Sequence, residues 1–249
     1  MKISIITVCY NSSLFIRSAI ESVFNQSHSD IEYIVIDGRS NDGTIDIINE
    51  YADRIAHVVS EPDKGIYDAL NKGLALADGE VIAFLHSDDL YFDNNVISKV
   101  VAIFSDDSID VVYGDVYFFS DSNVTKVRRR YRSDKLSASN LAWGKMPAHP
   151  AMFIRRRIYE EIGYFETDFK IAADYEFLCR LVHYANLKPV QLSSVLVRMR
   201  LGGVSTAGLR STILLNKEVF RAIRKNGIYT NIFMLLSKYP FKILQFLRR

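Results

Sequence analysis

The stretch Val81-Ile82-Ala83-Phe84-Leu85-His86-Ser87-Asp88-Asp89 runs from an uninterrupted apolar segment straight into two adjacent carboxylates. The apolar run reads as a buried strand, and two acids at its carboxyl end are a poor folding device, because like charges repel and each needs solvation. A bound cation removes both costs, so the pair marks a metal-diphosphate site. Two earlier segments repeat the arrangement. Tyr33-Ile34-Val35-Ile36 leads into Asp37-Gly38-Arg39-Ser40-Asn41-Asp42-Gly43-Thr44, and His57-Val58-Val59 leads into Glu61-Pro62-Asp63-Lys64-Gly65. All three acid-bearing loops are expected on one edge of a parallel sheet, beyond the carboxyl ends of the strands, where open α/β sheets bind ligands.

The rest of the first half fits that sheet. Ile3 to Val8, Glu32 to Ile36, Ile55 to Val59 and Val81 to Leu85 read as strands. Between them Leu14, Ile16, Ala19, Ile20, Val23 and Phe24 recur at helical spacing, and 44–51, 67–76 and 94–104 are predicted helices. Strand alternating with helix implies parallel strands joined by right-handed crossovers. Beyond residue 105 the pattern is less regular and more antiparallel. Val111 to Phe119 and Val124 to Tyr131 alternate around Ser120-Asp121-Ser122-Asn123, a predicted hairpin. Helices are expected over 172–185, 209–225 and 228–247, and a strand over 190–199.

At 249 residues the chain suits one α/β domain with a C-terminal appendage, and no linker composition divides it. Net charge is only +2, which does not point to nucleic acid, but positive charge is uneven. Arg128, Arg129, Arg130 and Arg132 cluster, and Arg210, Lys217, Arg221, Arg224, Lys225, Lys238, Lys242, Arg248 and Arg249 follow with Glu218 the only acid among them. The two cysteines, Cys9 and Cys179, have no metal-site or disulfide spacing, which fits a reducing compartment. No signal-peptide pattern precedes the first strand, and no apolar run reaches the roughly 20 residues that span a bilayer. The expectation is a cytoplasmic protein.

Thr7-Val8-Cys9-Tyr10-Asn11, the Asp37 to Thr44 loop, Glu61-Pro62-Asp63-Lys64-Gly65-Ile66-Tyr67-Asp68-Ala69-Leu70-Asn71-Lys72-Gly73 and His86-Ser87-Asp88-Asp89, taken together, resemble family 2 glycosyltransferases. The resemblance covers at least the first hundred residues, and it rests on the order of four motifs that are each weak alone. It implies the GT-A nucleotide-diphospho-sugar transferase fold: a mixed, mainly parallel sheet flanked by helices, with a C-terminal helical appendage. The implied division is a catalytic domain over 1–207, with a nucleotide-binding half (1–105) and an acceptor half (106–207), then a basic amphipathic region over 208–249.

For the donor, Asp37 ends a strand where a carboxylate can accept hydrogen bonds from a nucleobase imide or ribose hydroxyl. The resemblance assigns base contact to Asp37 and Asp63 and places Thr7, Tyr10 and Asn11 around the same pocket. Asp42 belongs to that pocket or only caps the next helix, and Asp68 lies beside the nucleotide or only complements a helix dipole. Lys64 is a nucleotide contact or merely solvated, and Gly65 permits a tight turn or close ligand approach. Within the acid pair, the resemblance gives Asp89 the divalent cation, Mn²⁺ or Mg²⁺, and Asp88 a ribose or supporting role.

On the acceptor side, Ile171-Ala172-Ala173-Asp174-Tyr175-Glu176-Phe177 carries an acid where the family has its general base. An inverting transfer needs one carboxylate beside the acceptor hydroxyl. Asp174 is that candidate, with a helix-dipole role as the alternative. Ala173 stands where the family commonly has a second acid, and Glu176 is a candidate substitute. Met146-Pro147-Ala148-His149-Pro150-Ala151-Met152-Phe153-Ile154-Arg155-Arg156 resembles a subgroup of small bacterial enzymes that build surface polysaccharides. His149, Trp143, Arg200 and Ser205 are candidate phosphate or acceptor contacts, against a structural His, a buried Trp and a plain turn at Gly202-Gly203. The Gln-x-x-Arg-Trp motif of processive synthases is missing, which favours single addition.

The expected activity is therefore metal-dependent, inverting transfer of one hexosyl or N-acetylhexosaminyl unit. The donor is a nucleotide diphosphate sugar, by default a UDP-sugar, and the acceptor a saccharide, expected in lipid-linked form. Residues 228–249 either lie on the inner face of the membrane or pack against the core. A noncatalytic binding protein on the same fold is the rival from another class. A sugar nucleotidyltransferase would need a glycine-rich triphosphate loop after the first strand, and a dinucleotide oxidoreductase would need GxGxxG there.

Overall fold

A computed structural model describes residues 1–120, 123–201 and 208–237. Its centre is a mixed nine-stranded sheet: β1 (Ile3–Cys9), β2 (Ile31–Asp37), β3 (His57–Ser60), β4 (Val81–Phe84), β5 (Leu90–Tyr91), β6 (Val111–Ser120), β7 (Asn123–Tyr131), β8 (Met152–Arg155) and β9 (Pro189–Arg200). The order is β3-β2-β1-β4-β8-β6-β9-β5, with β7 paired to β6. The first four strands are mutually parallel, in the register Thr7↔Val35, Cys9↔Asp37, Asp37↔Ser60 and Ile6↔Phe84. β1 and β4 are buried along their whole length because helices cover both faces of the sheet. Ile5 packs into one core and the adjacent Ile6 into the other, as the alternation of a strand requires.

The helices α1 (Ile16–Phe24), α2 (Thr44–Asn49) and α4 (Val96–Phe104) cover one face, and α3 (Ile66–Leu76) covers the other. On α1 the buried residues are Ile16, Ala19, Ile20 and Val23, four of the predicted stripe; Phe24 is half-buried, and Leu14 precedes the helix and is exposed. The second half adds α5 (Ala138–Ala142), α6 (Arg156–Ile162), α7 (Ala173–Leu181), α8 (Leu209–Lys225) and α9 (Ile232–Leu236), and α7 and α8 pack together on the α3 face.

Two features depart from the sequence expectation. First, β8 inserts antiparallel between β4 and β6, pairing Ala83↔Phe153 and Val112↔Phe153, so the two halves share one continuous sheet. Second, no helix begins at 228. Gly227 has φ +71°, Ile228 turns into the core, and the Thr230 hydroxyl donates to the Ala142 carbonyl at 2.7 Å. The helix α9 starts only after Asn231, whose side chain caps Met234 N–H at 2.9 Å. Residues 238–247 of the expected helix lie outside the described residues. Among the described residues no helix is long and apolar enough to cross a membrane.

Candidate active site

Three of the four motif loops meet at one glycine. A Cβ on Gly38 would stand 2.8 Å from Asp63 Oδ2 and 3.3 Å from Tyr10 Cδ2, so only the missing side chain lets the β1, β2 and β3 loops close on each other. Asp37 lies buried beneath them. Its Oδ1 accepts from the Ser40 hydroxyl, and its Oδ2 accepts from Ser40 N–H at 3.0 Å and the Ser60 hydroxyl at 2.6 Å. Asp63 Oδ1 pairs with Lys72 Nζ at 2.7 Å, and Lys72 also reaches Glu61 at 2.8 Å and the Pro62 carbonyl at 2.9 Å. Lys72 thereby fastens the β3 loop to α3.

Other candidates are tied into the scaffold. The Thr7 hydroxyl is buried, donating to the Leu85 carbonyl at 2.7 Å and accepting from Tyr33 at 3.0 Å. Asp42 accepts from Ser13 N–H at 3.0 Å and from the Thr44 hydroxyl and N–H at 2.5 and 3.1 Å, bonds that hold its carboxyl below the usual range. Asn11, at φ +49°, donates its N–H to Ser40 and accepts from Asn41 N–H. Asp68 Oδ2 accepts from Lys64 N–H at 3.0 Å, closing the turn at Gly65 (φ +125°), while the Lys64 side chain is exposed. Tyr10, beside these loops, is 65% exposed.

The acid pair follows β4. Ser12 and Ser87 hydroxyls meet at 2.9 Å and bind the β1 loop to this turn. Asp88 is half-buried, whereas Asp89 is 2% exposed. Asp89 Oδ1 accepts from Arg200 N–H at 3.1 Å, and its buried Oδ2 has no hydrogen-bond partner among the described residues. Burial, and then the neighbouring Asp88 charge, push its carboxyl well above the usual range. An orphaned carboxylate oxygen of this kind is costly in a folded chain. A hard divalent cation is one group its chemistry fits, although the described residues contain no group of three or more His, Cys, Asp or Glu able to hold a metal.

The catalytic side approaches through aromatic packing. Phe84, at the end of β4, stacks on His149 at 5.1 Å and meets Phe165 at 5.5 Å; Phe165 meets Tyr67 at 5.8 Å. The Tyr67 hydroxyl donates to Asp174 Oδ1 at 3.1 Å, and Tyr175 N–H donates to the same oxygen at 2.8 Å. Burial pushes the Asp174 carboxyl up to about 6, opposed by those two bonds. Tyr67 was not among the site residues read from the sequence, because its partner lies on α7, far along the chain.

Several expected contacts need correction. Glu176 is fully buried and bound to Arg180 Nε at 2.9 Å and Asn226 Nδ2 at 3.1 Å, so it is a structural ion pair and no substitute base. His149 is buried, with burial and the nearby His86 pushing it down to about 3; as a neutral imidazole it brings no charge to a phosphate. Trp143 is 45% exposed at the end of α5, which removes the buried alternative. The Arg200 guanidinium lies over Phe15 at 4.1 Å and Phe119 at 4.8 Å, beside the Asp89 turn. Ser205 and Gly202-Gly203 lie outside the described residues. Of the arginine cluster, Arg130 pairs with Asp115 at 2.8 Å and Arg129 covers Phe118, both fixing the β6–β7 hairpin.

A mixed, mainly parallel sheet flanked by helices, with acid-bearing loops at the carboxyl edge of its parallel strands, has the architecture of the GT-A fold. The model of the family described as "Glycosyl transferase family 2" matches residues 4–163, and the chain belongs to that family. A glycosyltransferase of Mycobacterium tuberculosis described as uncharacterized is 32% identical over 241 residues, covering 96% of this chain and 86% of that protein. The "PGL/p-HBAD biosynthesis glycosyltransferase" of the same species is 30% identical over 181 residues, 71% of this chain and 68% of its own. Among solved structures, Staphylococcus aureus TarS 1–349 in complex with UDP-GlcNAc superposes with a TM-score of 0.70 at 20% identity, over 93% of this chain and 68% of that one. The mannosyltransferase of Pyrobaculum calidifontis in complex with GDP-Man and Mn²⁺ gives 0.66 at 17%, over 88% and 64%. At such identities these two establish the fold alone.

Proposed function

We propose that this glycosyltransferase moves one sugar from a nucleotide diphosphate sugar, with inversion, to a lipid-linked saccharide during assembly of a bacterial surface polysaccharide. The observation that carries the donor half is Asp89, buried with one oxygen unpartnered among the described residues at the edge where the nucleotide loops gather. In this reading Asp37 and Asp63 border the base pocket with Tyr10, and Asp88 and Asp89 face the diphosphate. Asp89 would hold a divalent cation, which would supply positive charge to the leaving diphosphate. Asp174 takes the proton of the acceptor hydroxyl as that oxygen bonds to the anomeric carbon; the carbon-oxygen bond to the diphosphate breaks, and its electron pair leaves with the nucleotide. The Tyr67 hydroxyl holds the Asp174 carboxylate in place during this step. Donors named for structural neighbours, UDP-GlcNAc and GDP-Man, bracket the class.

A lipid-linked acceptor is supported by the outward face of α8 and α9. Ile213, Lys217, Phe220 and Arg224 recur there at helical spacing, followed by Tyr229, Ile232, Phe233 and Leu236, all exposed. Apolar and cationic side chains mixed on one face suit an anionic membrane surface. The donor test is thermal unfolding with UDP, GDP or dTDP, each with Mn²⁺, Mg²⁺ or EDTA. One nucleotide should raise the melting temperature only with metal, by mass action, and Asp89→Ala should abolish the shift. No shift with any nucleotide at millimolar concentration would favour a noncatalytic member of the fold.

A further inference from the structure

The sequence singled out Glu218 as the one acid in a basic tail, and the structure buries it. α7, which carries Asp174 in its first turn, opens at Ala172, a residue with no side chain able to cap it. The N–H groups of Lys170, Ile171 and Ala172 instead donate to Glu218, at 2.9 Å to Oε1 and at 2.8 and 3.0 Å to Oε2. The turn that enters α7 is therefore held from α8, 46 residues away along the chain from Ala172. Charge-assisted bonds to three consecutive amides of one turn are strong and directional. The same helix grips both sides of this turn: Arg221 pairs with Asp168 and covers Phe169 at 4.4 Å, Lys225 pairs with Glu166, and Asn226 binds Glu176 at 3.1 Å.

We propose that Glu218 is the positioning residue of the general base, fixing the turn that presents Asp174 to the acceptor and making α8 part of the catalytic apparatus. This rests on the reading of Asp174 as base. Two side chains bear on the Asp174 carboxyl from neighbouring elements: the Tyr67 hydroxyl from α3 holds it, and the Glu218 charge from α8 disfavours its ionisation. Glu218 thus places the carboxylate, and its charge adds to the burial that raises the carboxyl's proton affinity. Losing a contact that merely stabilised α7 would lower the melting temperature without slowing transfer by the folded protein.

The test follows the Asp174 carboxyl carbon by NMR in the full chain labelled at aspartate, the signal assigned with Asp174→Asn. In Glu218→Gln the titration midpoint should fall by about 0.3 to 1 pH unit, with transfer slowed and the nucleotide-dependent melting shift retained. Should that variant fail to fold, Glu218→Asp carries the test. It keeps the charge but is too short for all three bonds, and the Asp174 signal at pH 8 should move. An unmoved Asp174 signal in a folded Glu218 variant overturns the inference, even with Asp174→Asn inactive. Full transfer by Asp174→Asn overturns the base assignment itself, and this inference with it.

Discussion

Asp174 and Asp89 are both carboxylates pushed toward the neutral form by burial, but they are left with different company. Asp89 keeps an oxygen without a partner among the described residues, which suits a site completed by a ligand. Asp174 has a hydroxyl and an amide on one oxygen, which suits a group that must ionise and still hold its orientation. With Asp174 as the proposed base, its folded value near 6 would set the pH dependence. Transfer would then require the ionised form, so rate should rise about tenfold per pH unit up to roughly pH 6 and level off above it. The stability effect has the opposite sense. A carboxyl raised above its unfolded value of about 3.9 contributes stability below that value, and the contribution is lost as pH rises through the folded value. Asp174→Asn should therefore abolish transfer yet raise stability at pH 8 by about 1 to 2 kcal/mol, discounted for partial exposure, with little change at pH 4. Melting curves at the two pH values read this directly, and equal changes at both would reject the assignment.

At the scale of elements, the loops holding Asp37, Asp88 and Asp89 were legible because each follows a strand buried on both faces, and such strands leave continuous apolar runs, whereas Asp63 follows the half-exposed edge strand β3 and was legible from its loop motif. β8 was not legible. Its four residues end on Arg155, whose charge breaks the apolar pattern although its guanidinium is buried against the Phe104 carbonyl at 2.7 Å. Periodicity reports local structure, whereas the pairing of Phe153 with Ala83 and Val112 is set by residues far along the chain. The same limit hid the bond from Tyr67 to Asp174 and the grip of Glu218 on the turn entering α7. The break at 228–231 was hidden because its apolar residues fit a helix as well as an extended segment. β8 joins the two halves, so its core residue should carry a large share of stability. Phe153, fully buried, should cost about 3 to 5 kcal/mol on truncation to alanine, measured by denaturant unfolding. A single transition shifted by that amount fits one cooperative sheet, whereas two separated transitions would show that the halves unfold independently.

Across the whole molecule, α8 has two faces with different partners. Val219, Ala222 and Ile223 face the core, together with Glu218, while Ile213, Lys217, Phe220 and Arg224 face outward. Packed helices lie about 8 to 10 Å apart, so a membrane under the outward face would be little more than one helix diameter from α7 and Asp174. A saccharide on a lipid carrier could then reach the base without leaving the surface. Ile228 and Leu235 are buried, but Phe233 is 81% exposed, so this region packs on the core with some residues and leaves others for a second surface. Full-length protein should sediment with phosphatidylcholine vesicles containing phosphatidylglycerol and only weakly with phosphatidylcholine alone, and added salt should weaken the association. Lys217→Glu with Arg224→Glu should reduce binding to the anionic vesicles by roughly tenfold or more, at about 1 kcal/mol per basic residue near the surface. Phe233→Ser should reduce it on both kinds of vesicle, because it removes apolar area without changing the attraction for anionic lipid. Equal binding by wild type and both variants would assign the attachment elsewhere, and no binding by wild type would leave the exposed face without a lipid partner.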